Sequence, residues 1–288
     1  MTNSLIVMVG IQGSGKSTKA KELSVLYNAV VLSSDEIRKT NPSWDNNKVF
    51  EYLYKEMNKH LRNNESVIID ATNTTLKSRR AIFDHLDKIA VEDIIAYVMN
   101  TPEADCKIRV MNRNNDPNEH YVPLEVVDRY IKNFQIPHDE EGFHEIIYSE
   151  CPKFNINKCL GLLNETVSFD QMNHHHTMDL YNHSAMAGFS YGNLCVGLFH
   201  DIGKLFCQTI DDKGEAHYFN HANIGAYYLM SHLEVIPENQ RNEVLVITNY
   251  HMNVYDWKTE KTHDKYKKLL GDWYYLLIRF HEADEGAH

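Results

Sequence analysis

The chain has 288 residues, about twice the usual domain of roughly 150, which favours two domains. Hydrophobic residues make up 43% of the chain and charged residues 24%, a composition that excludes a disordered, collagen-like or low-complexity protein. The formal net charge of -11 provides no overall basic field, so any phosphate-bearing partner must be held locally.

The cysteine and histidine content indicates the redox compartment of the protein and the half of the chain where a metal site is expected. The 5 cysteines form no C-x-x-C pair, which favours reduced thiols and predicts a cytoplasmic location. No apolar run approaches the roughly 18 residues that span a bilayer, so no membrane partner is expected. Five of the 17 histidines precede residue 150 and twelve follow it, which directs attention to the second half for metal chemistry.

Short apolar runs alternate with helical segments through the first half of the chain. The predicted strands are residues 5–9, 29–32, 66–69, 93–99 and 142–148. Helical spacing follows the first run over 17–27 and recurs over 124–134, between Pro123 and Pro137. This alternation indicates an α/β domain with a parallel sheet covered by helices on both faces.

A glycine-rich loop follows the first predicted strand. It reads Gly10-Ile11-Gln12-Gly13-Ser14-Gly15-Lys16-Ser17, a match to G-x-x-x-x-G-K-S. In such a P-loop, backbone amides hold phosphate oxygens, the lysine adds charge near the β and γ phosphates, and the serine hydroxyl binds Mg²⁺. The sequence therefore predicts ATP and Mg²⁺ as cofactors, bound by Gly10, Gly13, Ser14, Gly15, Lys16, Ser17, Thr18 and Asp70.

Carboxylates follow the next two strands, where ligands of open parallel sheets bind. The second strand leads into Ser34-Asp35-Glu36-Ile37-Arg38, and the third leads into Asp70-Ala71-Thr72-Asn73. A carboxylate there can hold a Mg²⁺ water or accept a proton from an attacking hydroxyl, and an arginine three residues later can hold a phosphate. The alternative is that Asp35 caps a helix while Arg38 faces solvent.

Together these motifs resemble the phage-type polynucleotide 5′-hydroxyl kinases over roughly residues 1–150. The matching segments are GIQGSGKS, SSDEIR, IDATNTT with Arg79 and Arg80 following, and the basic lid before Val122-Pro123. The resemblance implies that Asp35 is the general base toward the 5′-hydroxyl and that Arg38 holds the acceptor phosphate.

The lid departs from the family pattern, in which two arginines lie four residues apart. Pro117 occupies the place of the second arginine. Arg113 is therefore the candidate for stabilising the transferring phosphoryl group, and Arg109, one helical turn earlier, is its substitute. A solvated helix face is the competing interpretation at both positions.

The alternation stops after Pro152, and helical spacing predicts an all-α second domain. The predicted helical segments are residues 194–206, 223–234, 238–250 and 272–287. The predicted domains are residues 1–152 and 153–288. The tyrosines of Tyr227-Tyr228 and Tyr274-Tyr275 favour core packing over base stacking, and His138 is expected at the surface.

Ligand-type side chains concentrate around His200-Asp201-Ile202-Gly203-Lys204. Adjacent His and Asp near a helix end can bind one metal while the carboxylate bridges to a second, and Lys204 can contact a phosphate. Without other ligand-type residues nearby, a His-Asp pair of this kind is more simply interpreted as two surface residues. The six candidate ligands, which make a two-metal site plausible, are His183, His200, Asp201, His221, His251 and Asp284.

This pattern resembles the HD-domain metal phosphohydrolases over about residues 165–288. The resemblance implies one or two divalent metals such as Mn²⁺, Ni²⁺, Co²⁺ or Fe²⁺, with His221 and His251 as the added ligands of two-metal members. It also implies catalytic roles for Asp201 and Lys204. His174-His175-His176 resembles a lead-in motif of some relatives, and the alternatives of a metal or substrate contact, a capping role and an expression relic stay open.

The two resemblances together imply an enzyme that heals broken RNA or DNA ends. It would phosphorylate 5′-hydroxyl ends with ATP and remove 3′-phosphate or 2′,3′-cyclic phosphate, after which a separate ligase could act as a partner. RNA is favoured because such fusions resemble RNA-repair enzymes. Two other interpretations stay open: a nucleoside or small-metabolite kinase fused to a nucleotide phosphohydrolase, which the acidic charge favours, and a nucleotide-gated HD sensor.

Overall fold

The computed structural model describes residues 3–117, 121–172 and 178–287. The chain forms two compact units, one of Met1–Val127 with Pro137–Glu150 and the other of Asp128–Ile136 with Cys151–His288. The second unit thus includes a segment that precedes residue 152. As a boundary between separately folding domains, the division at residues 152 and 153 stays a prediction.

Helices and strands alternate as far as residue 148. In order they are β1 (Ser4–Val9), α1 (Lys16–Tyr27), β2 (Ala29–Ser33), α2 (Ser34–Thr40), α3 (Asn46–Arg62), β3 (Ser66–Asp70), α4 (Leu76–His85), β4 (Asp93–Val98), α5 (Glu103–Asn114), α6 (Leu124–Lys132) and β5 (Glu145–Tyr148). Short 3-10 helices lie at Lys88–Ala90 and Asp139–Glu141.

The five strands form one parallel sheet in the order β2-β3-β1-β4-β5. Leu5 of β1 pairs with Val67 of β3 and with Ile94 of β4, so β1 is central and its six residues are all buried. The predicted parallel α/β sheet is therefore confirmed. Its core includes Ile6, Met8, Ala20, Leu23, Ile68, Ile95 and Met99. This order places the loop after β1 between the ends of β3 and β4, where parallel sheets bind ligands.

The rest of the chain is mainly helical. Its elements are α7 (Ile156–Thr166), α8 (Leu180–Tyr191), α9 (Leu194–His200), α10 (Lys204–Cys207), β6 (Thr209–Ile210), β7 (Ala216–His217), α11 (His221–Ser231), α12 (Arg241–Tyr250), α13 (Glu260–Leu270) and α14 (Trp273–Glu285). Short 3-10 helices lie at Leu233–Val235, Glu238–Gln240 and His251–Asp256. Among the described helices, none is both long and apolar enough to cross a membrane.

Three features of this region differ from the sequence expectations. The single helix expected over 194–206 is interrupted at Asp201, which caps the C-terminus of α9. An antiparallel hairpin of β6 and β7 interrupts the helices, because the Asp211 carboxylate accepts hydrogen bonds from the Lys213 and Glu215 amides. Tyr275 is 53% exposed and is not a core residue, whereas Tyr274 is buried.

Helices α8 and α9 approach so closely that only glycine fits where they cross. A β-carbon on Gly197 would lie 2.2 Å from the Gly188 α-carbon. This backbone contact leaves no freedom to slide one helix along the other. It therefore fixes the distance between His183 on α8 and His200 on α9, whose ring centroids are 5.5 Å apart.

Candidate functional site

The loop between β1 and α1 is closed around the carbonyl oxygen of Ile11. The Ser14 hydroxyl and the Lys16 ammonium both donate to this oxygen, each over 2.8 Å. Gly13 and Gly15 have φ values of 78° and 92°, in the left-handed region that the loop requires. Helix α1 begins at Lys16, so its free amides face the loop, as phosphate binding requires.

Lys16 lies in the electrostatic field of three other predicted site residues. Burial lowers the pKa of its ammonium to about 8, the carboxylates of Asp70 and Asp35 oppose that shift, and Arg113 adds to it. Asp70 ends β3 and is 6% exposed, whereas Asp35 lies in the first turn of α2 with a mostly exposed side chain. The sheet thus gathers the charged groups predicted from separate motifs, while Ser17 and Thr18 lie exposed in the first turn of α1.

Arg38 is held by neighbours on two elements. Its guanidinium donates to Asp35 Oδ1 over 2.9 Å and to Asn46 Oδ1 over 3.0 Å, and its Cζ lies 5.8 Å from the centre of the Phe50 ring. These contacts lie at the surface, where 38% of the Arg38 side chain is exposed, so the choice between an acceptor-phosphate contact and a solvated helix face stays a prediction. Asn46 and Phe50 were not among the predicted site residues, because they belong to α3 and no motif links them to Arg38.

The two lid candidates on α5 have different environments. Arg109 donates to the Gly13 carbonyl oxygen over 3.3 Å. The Nε atom of Arg113 is buried, and among the described residues it has no hydrogen-bond acceptor. Arg113 therefore retains a donor for a ligand near Lys16, whereas Arg109 supports the loop backbone.

Arg79 has a structural role that its position after the D-x-T-N motif did not reveal. It is fully buried and makes two hydrogen bonds to Glu141, over 2.7 and 2.6 Å, and one to the Asn73 carbonyl oxygen over 3.1 Å. The Asn73 side chain in turn donates to the Met8 carbonyl oxygen. His138, expected at the surface, is buried beside Glu141 because the 3-10 turn 139–141 closes over Arg79.

The second unit brings all six predicted metal ligands together. His183 lies on α8, His200 ends α9, Asp201 follows it, His221 begins α11, His251 begins the 3-10 helix after α12, and Asp284 lies on α14. The first five residues are buried, and the Asp284 side chain is 13% exposed. The sequence therefore identified side chains that converge from five helices.

Asp284 and one oxygen of Asp201 face the first pair of histidines. Asp284 Oδ1 lies 3.1 Å from Nε2 of both His183 and His200. Asp201 Oδ2 lies 3.3 Å from His200 Nε2 and 3.6 Å from His183 Nε2. His183, His200 and Asp201 thus form one group with the geometry of a metal site.

The other oxygen of Asp201 faces the second pair of histidines. Oδ1 lies 3.0 Å from His221 Nε2 and 3.5 Å from His251 Nε2. These three residues form a second metal-compatible group, and Asp201 belongs to both groups. A carboxylate divided in this way between two sets of nitrogen ligands is the arrangement that bridges two cations.

The tautomers of the four histidines favour cation binding. Each Nδ1 lies within 2.7 to 2.9 Å of a backbone carbonyl oxygen. The four carbonyls belong to Ala287 for His183, Gly197 for His200, Tyr218 for His221 and Thr248 for His251. Because a carbonyl only accepts, each Nδ1 carries the proton, and in a neutral ring Nε2 presents a lone pair to the centre.

The Nε2 atoms lie close to one another and to carboxylate oxygens. A bound cation would relieve the repulsion between their lone pairs. His221 Nε2 and His251 Nε2 are 3.2 Å apart. Within the described ranges, His200 Nε2 and Asp284 Oδ1 have no hydrogen bond of good geometry although both are buried. Nitrogen and carboxylate donors of this kind suit divalent transition metals, so the residues present fit the predicted metals.

Without a metal, the charges at this centre are balanced by protons. Burial alone would lower the pKa of His200, but the Asp201 and Asp284 carboxylates outweigh it and raise the pKa to about 10. Burial would likewise raise the pKa of Asp201, but His200 and Lys204 hold it well below its usual range. The centre therefore contains ionised carboxylates that require positive charge.

Lys204, the lysine of the H-D-x-G-K pattern, lies at the centre, and its predicted contact with a phosphate stays a prediction. Its ammonium lies 2.6 Å from Asp201 Oδ2 and donates to Gln171 Oε1 over 2.8 Å, with the Tyr218 ring centre at 5.5 Å. It contacts the carboxylate that the two histidine groups share. Gln171 and Tyr218, which position this ammonium, were not identified from the sequence.

The glycine of the same motif has a packing role. A β-carbon on Gly203 would lie 2.0 Å from the His221 carbonyl oxygen. Gly203 therefore lets the start of α11 approach the H-D turn and brings His221 to Asp201.

Two aromatic residues beside Asp284 were also missed. The Tyr255 and His281 rings meet edge to face with centroids 4.6 Å apart, and His281 lies one turn before Asp284 on α14. Burial, reinforced by Asp284, raises the pKa of Tyr255 to about 12, so its hydroxyl remains a hydrogen-bond donor near the centre. His174, His175 and His176 lie outside the described residues.

The comparisons with known proteins concern the N-terminal part of the chain. Residues 5–137 match the family model of an AAA domain, in agreement with a P-loop kinase-like fold. No curated protein matches the chain.

Several solved structures are similar to part of the chain. They include a chain of the Pnkp1/Rnl/Hen1 RNA repair complex (24% identity, TM-score 0.41, 46% of this chain and 44% of that chain), a putative kinase from Chloroflexus aurantiacus (17%, 0.42, 58% and 96%) and a fungal RNA kinase (18%, 0.39, 58% and 44%). The chain therefore spans less than half the length of the repair-complex chain that it matches.

Proposed function

We propose that the protein heals nucleic-acid ends, RNA in particular, by phosphorylating 5′-hydroxyl termini with ATP and removing 3′-phosphate or 2′,3′-cyclic phosphate. The observation that carries this proposal is that one chain contains two separate clusters of charged and metal-compatible side chains, each with residues suited to phosphate chemistry. One surrounds Lys16 with Asp35, Asp70 and Arg113, and the other divides Asp201 between two histidine pairs. The two products are the ends that a separate ligase can join.

In the kinase reaction, Asp35 accepts the proton of the 5′-hydroxyl as its oxygen attacks the γ-phosphorus and the bond to ADP breaks. Lys16 and Arg113 balance the charge on the transferring group, and Arg38 orients the acceptor through its phosphate. Mg²⁺ bound through Ser17 would lower the charge of the ATP phosphates. The Asp35 side chain is 81% exposed, which leaves room for an acceptor that continues as a long chain.

In the phosphohydrolase reaction, one metal would be held by His183, His200, Asp201 and Asp284, and a second by Asp201, His221 and His251. Divalent metals at such a site polarise the phosphate and activate water. Lys204 provides positive charge for the phosphate, and the four Nδ1 hydrogen bonds keep the histidine rings in the ligating tautomer.

The kinase assignment is tested with γ-labelled ATP, Mg²⁺ and a 5′-hydroxyl RNA oligonucleotide. We expect label on the RNA, and Asp35→Asn should reduce its rate by at least about 100-fold, since a general base contributes on that scale. Glu36→Gln is the matched control, because Glu36 is an exposed carboxylate on the same helix. Labelling of nucleosides but not of RNA would instead support a small-molecule kinase.

The phosphohydrolase assignment is tested by phosphate release from a 3′-phosphorylated oligonucleotide and by elemental analysis of bound metal. His200→Ala combined with Asp201→Ala should abolish release and lower the metal content while preserving 5′ labelling. His217→Ala with Asp211→Ala is the control, because this pair is 3.3 Å apart but lies outside the centre. An unchanged metal content in the first variant would refute the metal site.

A further inference from the structure

The second unit carries a concentrated basic segment that neither proposed reaction uses. Five of the eleven lysines and arginines after residue 150 lie between Lys258 and Lys268, whereas acidic residues outnumber basic ones over the same half of the chain. All five of these lysines are exposed. Within the described residues none of them forms an ion pair, so their charges are available to a partner.

Three of the lysines share one face of α13. Lys261, Lys265 and Lys268 follow one another at helical spacings of four and three residues, and they line an open groove of about 440 Å³. Glu260 and Asp264 also line this groove. The face therefore has a small net positive charge. Its lysines are spaced along the helix, so they can contact successive phosphates of a polyanion.

Aromatic rings accompany these lysines. The Trp257 ring stacks on both Tyr266 of α13 and Tyr274 of α14, with centroid distances of 5.2 and 4.9 Å, which links the two helices. Tyr275 on α14 is 53% exposed, and the Lys267 ammonium lies 5.2 Å from its ring centre. Of these rings Tyr275 is the exposed one, and an exposed aromatic ring beside a cationic side chain is an element that binds single-stranded nucleic acids.

This surface is separate from the metal centre. Tyr275 precedes Asp284 by nine residues on the same helix, which corresponds to about 13 Å along the axis and to opposite sides of the helix. Tyr275 therefore faces a part of a ligand remote from the phosphate that reacts.

We propose that α13 and Tyr275 form a binding surface for single-stranded nucleic acid, in which Tyr275 stacks on a base, Lys267 beside it contacts a neighbouring phosphate, and Lys261, Lys265 and Lys268 contact backbone phosphates further along the strand. That the bound strand is the strand being healed rests on the proposed function. The binding itself does not, because it requires neither catalytic centre.

The test measures binding of the full-length protein to a fluorescent RNA oligonucleotide blocked at both ends, so that neither reaction can occur. Replacing the three groove lysines (Lys261→Gln, Lys265→Gln, Lys268→Gln) should lower the affinity at least about tenfold in 50 mM salt. The slope of log K against log salt should also fall by roughly 2, so that the wild type loses about twentyfold more affinity than the variant between 50 and 200 mM. Tyr275→Ala should weaken binding about tenfold, and Tyr275→Phe should retain it.

A second triple variant controls for net charge. Lys153→Gln, Lys158→Gln and Lys213→Gln remove the same number of exposed lysines elsewhere in the unit and should leave the affinity and salt slope unchanged. Equal weakening by both triple variants would overturn the proposal, as would unaltered RNA binding in the α13 variant. Binding of polyglutamate with the affinity of the RNA would also overturn it, because an acidic protein would then be the partner.

Activity assays distinguish this proposal from the proposed function. The α13 variant should release phosphate from a long 3′-phosphorylated strand with a higher KM than the wild type. It should process a nucleoside 3′-phosphate at the wild-type rate. The protein could bind blocked RNA through α13 and yet act on no RNA end. That result would support the binding surface and show that the proposed function is wrong.

Discussion

At the residue scale, function depends on charged groups whose environment sets their protonation. Lys16 is the clearest case, because burial lowers its pKa to about 8 while Asp70 and Asp35 oppose the shift. The ammonium is charged below this pKa and becomes neutral as the pH rises through it. Only the charged form attracts the phosphates of ATP.

We therefore expect kcat/KM for ATP, which reports the free enzyme, to fall above about pH 8 and to approach a tenfold loss per pH unit. A pH series at saturating Mg²⁺ and oligonucleotide measures it. Lys19→Gln should preserve the profile, since Lys19 lies on the same helix but pairs with Glu22. A profile that stays flat to pH 10 would show that Lys16 keeps its ordinary pKa.

At the scale of elements, the proposed metal centre depends on where helices end and how closely they approach. The interruption after α9 turns Asp201 toward both histidine pairs, and Gly203 allows α11 to bring in His221. A side chain at Gly203 would meet backbone, which cannot rotate away as a flexible side chain could. The glycine is thus part of the site although it touches no ligand.

Gly203→Ala should lower the free energy of unfolding by about 1–3 kcal/mol, the usual cost of overpacking, and should reduce the metal content. Urea denaturation and elemental analysis measure the two effects. Gly161→Ala in the interior of α7 is the matched control, because a β-carbon there has no neighbour within 4 Å. It should instead stabilise the protein by roughly 0.5–1 kcal/mol. If Gly203→Ala is as stable as the wild type and binds as much metal, the packing role is wrong.

At the scale of the whole molecule, the two compact units contain separate proposed sites. A ligand that binds only the folded state stabilises the unit that contains its site. ATP with Mg²⁺ should therefore act on the unit with Lys16, and transition metals on the unit with Asp201. We expect the second effect to be large, because the Asp201 carboxylate lies between two pairs of buried histidines that a bound cation would hold together.

Removing the metals with a chelator should lower the unfolding temperature of one transition in calorimetry and leave the other unchanged. For a metal present at 100 times its dissociation constant, the lost stabilisation is about 2.7 kcal/mol. The His200→Ala and Asp201→Ala double variant should be insensitive to the chelator. A wild-type protein that loses its metal without any shift would show that the metals do not stabilise the fold.

The sequence alone was enough to predict the α/β class of the first half, the glycine-rich phosphate-binding loop, and the six candidate ligands whose side chains cluster in the structure. These follow from local rules: apolar runs of strand length, glycines at fixed offsets, and ligand-type residues in short motifs. The tertiary structure decided the features that depend on contacts between distant segments. It turned the two oxygens of Asp201 toward different histidine pairs, placed Asn46 on Arg38, buried Arg79 and His138 around Glu141, and left Tyr275 exposed. No local pattern encodes these contacts, because each depends on how helices and loops far apart in the chain pack together.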